Sequence, residues 1–92
     1  MSTPDIADFA FDDDNDDKIA SHGLTIRRVV QVLDNPHVLV PNRKARRGAF
    51  LVIGRDNGGA AISIPVEATH DPAVWRPITA WPSKPHEEAK LR

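Results

Sequence analysis

The sequence predicts an α+β domain, with two N-terminal helices packed on a small antiparallel β-sheet and a short C-terminal helix. Three observations predict it. Ile26, Val29, Val30 and Leu33 recur at helical spacing between Thr25 and Asn35-Pro36. The apolar runs 49–53 and 60–66 flank Asn57-Gly58-Gly59, a strong hairpin signal. Ser83-Lys84-Pro85 then opens a polar segment with proline near a helix start.

Residues 1–8 are polar and contain a proline, which predicts a disordered acidic tail ahead of a single domain over 9–92. Phe9 and Phe11 alternate about Ala10, so both rings fall on one face of a short strand. The aspartates of 12–17 suit the N-terminus of a first helix, where carboxylates cap free N–H groups and favour the dipole. Gly23 suits its end in the left-handed conformation. Thr25 caps the second helix, which Asn35-Pro36 stops. His37-Val38-Leu39-Val40 is extended and leads to a basic loop over 42–48. The strand over 49–53 returns through the hairpin as 60–66, where Pro65 demands an edge, bend or bulge because it has no N–H to give. A loop over 68–73 leads to a last strand over 75–80, interrupted by Pro77, and 86–91 forms the final helix.

Composition narrows the chemistry. A chain of 92 residues is one domain with one thin core. With no cysteine there is no disulfide, no thiolate catalysis and no Cys-based zinc site, which fits a reducing, cytoplasmic setting. The N-terminus lacks a basic and apolar leader, and no apolar run approaches the roughly 20 residues that span a bilayer, so no membrane role is expected. Net charge is −1, but residues 1–17 carry −7 and the remainder +6. A basic body suits an anionic partner, and the acidic head could fold over it.

Familiar catalytic signatures are missing. Asn57-Gly58-Gly59 opens no helix, so it is no phosphate loop, and His86-Glu87-Glu88 lacks the second histidine of a zinc helix. His22, His37, His70 and His86 are widely spread, and no metal or cofactor is expected. Two features remain. His22, in Ser21-His22-Gly23, can exchange a proton near neutral pH, but the same position suits a structural histidine at a helix C-terminus. Arg43, Lys44, Arg46 and Arg47 can hold phosphates or form a solvated loop, with Arg55 and Arg76 in or beside strands.

The order of these pieces resembles a known family. Phe9-Ala10-Phe11-Asp12, Asn15, Ile19, His22-Gly23-Leu24-Thr25, Val29 and Val32-Leu33-Asp34-Asn35-Pro36 are similar to the front half of BrnT toxins. Phe50-Leu51-Val52-Ile53-Gly54-Arg55, the glycine hairpin, Trp75-Arg76-Pro77-Ile78-Thr79-Ala80 and Glu87 are similar to the back half. The resemblance implies a RelE-like fold and a type II toxin–antitoxin system. The toxin would be a bacterial, metal-independent ribonuclease that cleaves RNA by 2′-hydroxyl attack. Its partner would be a BrnA-like ribbon-helix-helix antitoxin, in a homodimer or a heterotetramer with it. It further implies His22, Arg55 and Arg76 at the reacting phosphate, with Arg43, Lys44, Arg46 and Arg47 along the RNA backbone. Three positions depart from the family: Ala60 and Trp81 stand where arginines are usual, and Leu91 where a tyrosine is common. Such a nuclease must neutralise a pentacoordinate phosphate, so these departures favour an alternative. In that alternative the chain is a degenerate scaffold that binds protein or RNA without turnover.

Overall fold

The computed structural model describes residues 4–42 and 50–92. Strand β1 (Asp8–Phe9) precedes helices α1 (Asp13–Ser21) and α2 (Ile26–Asp34). Strands β2 (His37–Pro41), β3 (Phe50–Arg55), β4 (Ala61–Ala68), β5 (Val74–Pro77) and β6 (Trp81–Pro82) follow, then α3 (Pro85–Glu88) and a 3₁₀ turn, Ala89–Leu91. The α+β class predicted from the sequence is what the chain adopts.

The helices form where the local chemistry demands them. Asp12 accepts from the Asn15 N–H while the Asn15 side chain accepts from the Asp12 N–H, a reciprocal cap on α1. The helix ends in a Schellman motif: the Leu24 N–H reaches the Ile19 carbonyl and the Gly23 N–H the Ala20 carbonyl. Gly23 takes φ +78°, the left-handed value this turn needs. Leu24 and Ile19 are both buried, supplying the apolar contact that accompanies the motif. Thr25 caps α2 by accepting from the Arg28 N–H at 3.2 Å.

The sheet runs β1-β5-β4-β3-β2, with β6 pairing β4 beside β5. One face of β4 carries Ile62, Ile64 and Val66, which join Val52, Ile19, Val29 and Val32 in the core beneath α1 and α2. The opposite face carries Ala61, Ser63, Pro65 and Glu67, and α3 packs there against β3 and β4.

Four details differ from the sequence-based expectations. The sheet is mixed, because β1 lies parallel to β5 with Asp8 opposite Val74. Ile6 is buried in the core and Ala7 bonds to Ala73, so ordered packing begins ahead of the expected boundary at Phe9. The α2 stripe centres on Val29 and Val32 rather than Val30, since helix and sheet meet on that side. The last strand is two strands: Pro77 ends β5, Ile78 turns its N–H to the Pro65 carbonyl, and pairing resumes at Trp81 opposite Ser63.

Asn15, fully buried on α1, fastens helix to sheet. Its amide donates to the Ala10 carbonyl at 3.1 Å and the Pro77 carbonyl at 2.9 Å. At the far end, Asp56 accepts from the Gly58 and Ala60 N–H groups and from Arg28 of α2. Gln31 and Asn35 add bonds to Asn57 and the Arg55 carbonyl, so the hairpin is held against α2.

Candidate functional site

The sequence-predicted groups can now be placed. His22 is the C-cap of α1 and is exposed. Its ring lies 6.4 Å from that of Trp81, edge to face. Trp81 sits on β6, directly opposite Ser63, and its indole N–H donates to Glu87 Oε1 at 3.0 Å. Glu87 is buried in α3, and the same oxygen accepts from the Ser63 hydroxyl at 3.0 Å and the Lys84 N–H at 2.8 Å. An ionised carboxylate only accepts, so Ser63 donates to it and receives the Ser83 hydroxyl proton across 2.8 Å. Burial opposes the charge on Glu87, but the Lys84 N–H, the Trp81 indole and the Ser63 hydroxyl outweigh it and hold its pKa below the ordinary value.

Beside this network lies an open groove of about 550 Å³, lined by Val40, Pro41, Asn42, Leu51, Trp81, Lys84, His86 and Glu87. Its floor is apolar strand and its α3 wall carries the exposed Lys84 and His86.

The arginines do not join that network. Arg55 donates to the Gly59 carbonyl at 3.0 Å and pairs with Glu88 at 3.1 Å. Arg76 makes a forked contact to Asp12, at 2.7 and 3.2 Å, and reaches Glu67 at 2.8 Å and Asp14 at 3.5 Å. Asp12 is the strongest influence on the guanidinium, raising its pKa further, and Arg76 in turn lowers that of Asp12. Arg55 is opposite Ala61 and Arg76 opposite Glu67, at the two ends of β4. Six residue steps along the strand separate those partners by roughly 20 Å. The expected meeting of His22, Arg55 and Arg76 at one phosphate is therefore not the arrangement found. Arg43, Lys44, Arg46 and Arg47 lie outside the described residues. The acidic head partly behaves as its charge suggested, with Asp12 and Asp14 covering Arg76.

No family model matches this chain, and no curated protein does. Among the described residues no group of three or more histidines and carboxylates is arranged to hold a metal ion, and no helix is long and apolar enough to cross a membrane.

What sequence reasoning missed is the hub. The motifs mark Glu87 only as a position shared with BrnT proteins, and no motif marks Ser63. The signal was there: Ser63 is a lone hydroxyl between Ile62 and Ile64 on a strand buried on both faces, which requires a polar partner from elsewhere.

Proposed function

We propose that this chain is a BrnT-like module of a toxin–antitoxin type that binds rather than cleaves. The observation that carries the reading is Trp81. It stands where an arginine is usual in BrnT proteins, and it touches both His22 and Glu87, two of the positions the resemblance marks. An indole supplies contact area and one N–H, already directed at Glu87, but no positive charge for a phosphorane. Arg55 and Arg76, the two expected site arginines among the described residues, are each engaged by carboxylates at opposite ends of β4. A half-buried tryptophan beside a groove with an apolar strand floor and a polar wall is instead the composition of a protein contact. The ancestry rests on the motifs quoted above, and the partner they imply is a short ribbon-helix-helix protein.

Two measurements test this. Purified protein incubated with total RNA between pH 6 and 8, with chelator present, is expected to leave the RNA intact. Cleavage that His22→Ala abolishes would overturn the binding reading and restore the nuclease. Co-expression with the product of the adjacent reading frame is expected to give a stable complex, weakened at least about tenfold by Trp81→Ala, the loss typical of a buried aromatic anchor. Absence of any complex would count equally against the proposal.

A further inference from the structure

The outer edge of β2 carries a second interaction surface. Three hydrogen bonds fix which backbone groups point there. The Pro65 carbonyl accepts from the Ile78 N–H at 2.8 Å and the Ala61 carbonyl from the Ser83 N–H at 2.9 Å. Residues 61, 63 and 65 of β4 therefore turn their backbone polar groups away from β3. Their partners on β3, Arg55, Ile53 and Leu51, turn theirs toward β2, as the bond from Asn35 to the Arg55 carbonyl also requires. Ile53 and Leu51 pair with Val38 and Val40, so Val38 and Val40 face inward to β3. The groups left facing outward belong to His37, Leu39 and Pro41. Pro41 agrees independently, because it has no N–H to give β3.

The edge thus presents the N–H groups of His37 and Leu39 and the carbonyls of His37, Leu39 and Pro41. Among the described residues no strand pairs with it. It carries none of the charged guards of an exposed edge, since no Lys, Arg, Asp or Glu stands on β2, and its one blunting residue, Pro41, sits at the strand end.

We propose that a second copy of this chain pairs here, antiparallel, about a two-fold axis through Leu39. The strand His37-Val38-Leu39-Val40-Pro41 is close to self-complementary about its centre. In that register Leu39 faces the partner's Leu39, and each donates its N–H to the other's carbonyl. Val38 faces the partner's Val40, a favourable cross-strand pair, and the His37 N–H reaches the partner's Pro41 carbonyl. The missing N–H of Pro41 leaves only the His37 carbonyl unmet at each end. On the Val38 and Val40 face, a groove of about 310 Å³ at the His37 end of one copy would adjoin the larger groove at the Pro41 end of the other. The apolar floor is then continuous across both copies. This interface runs along the β2 edge and adjoins the Trp81 groove, but self-association reads the one and partner binding the other, so their failures are distinguishable.

Sedimentation equilibrium of the full chain from low micromolar to near-millimolar concentration tests it. The expected result is reversible growth from the 10.1 kDa chain mass to twice that value. Residue-resolved amide exchange should show His37 and Leu39 becoming protected as concentration rises, while Val38 and Val40 stay protected throughout. Leu39→Pro removes the outward N–H together with a side chain packed against the core, whereas Val40→Lys adds an edge charge and leaves that side chain in place. Either should weaken association at least about tenfold. A monomer at every concentration overturns the proposal. So does a dimer in which the His37 and Leu39 amides exchange freely, a readout that needs no variant to fold.

Discussion

The Trp81 indole donates to the Glu87 carboxylate, and that contact joins β6 to α3 across a face of the sheet that would otherwise present Ser63 to solvent. A single carboxylate oxygen gathers three donors from three separate parts of the chain. Removing the charge should be felt in all of them. Glu87→Gln is expected to lower stability by about 1–3 kcal/mol, the range for losing charge-assisted bonds to a buried group. Urea denaturation followed by tryptophan fluorescence measures it. An unchanged midpoint would mean the network contributes nothing net.

Asn15 should be less forgiving. Its amide satisfies two backbone carbonyls, on either side of the α1–sheet junction, and its oxygen caps the Asp12 N–H. Asn15→Ala orphans all three, and a loss of about 3 kcal/mol is expected. For a domain this small that is a fall in Tm of more than roughly 10 °C, visible in a thermal melt.

Two glycines separate backbone strain from crowding. A Cβ on Gly23 would meet nothing within 4 Å, so Gly23→Ala incurs only the left-handed backbone penalty of about 1 kcal/mol. A Cβ on Gly54 would lie 2.7 Å from Val32 Cγ1 and 2.8 Å from His37 Cβ. Gly54→Ala must push α2 and β2 off β3 and is expected to be the worse of the two, at about 2–3 kcal/mol. Paired chemical denaturation curves test the order.

Stability should also fall in acid. Asp56 is held below its ordinary pKa by its hydrogen bond from Arg28 and by the Ala60 and Gly58 N–H groups. Glu87 is held low despite its burial, and Asp12 is held low chiefly by Arg76. Each carboxyl is harder to protonate folded than unfolded, so the unfolded chain binds more protons once pH drops toward about 4. The stabilisation is complete above that range and is lost as pH falls through the depressed folded values. Denaturation midpoints between pH 7 and 2.5 should trace this decline, and Asp56→Asn should make it shallower.

Elements with local signals were legible in the sequence. Thr25 and Asn35-Pro36 bracketed α2, and Gly23 marked the left-handed end of α1, because caps and breakers act on their own neighbours. The hairpin between β3 and β4 followed from its glycines in the same way. Long-range geometry was not legible. Nothing near Phe9 specifies a parallel partner 66 residues away, and the division of the last strand at Pro77 depends on Pro65 offering its carbonyl to Ile78. The candidate site divides likewise. His22 was visible as a residue type in a motif, whereas the wide separation of Arg55 and Arg76 comes from strand register, which side-chain identity does not encode.

The pairing of β1 with β5 also dictates an order of assembly. Asp8 and Phe9 touch α2 early but have no strand to pair with until Val74 and Trp75 exist, so the first strand made is among the last to be paired. During synthesis Ile6 and Phe9 lack the cover of Trp75 while most of the polypeptide emerges, and closing so distant a contact slows the final step. A truncation before residue 74 should therefore leave a species whose N-terminal segment is open to proteases and chaperones, although its α2 and β2–β4 core is already encoded.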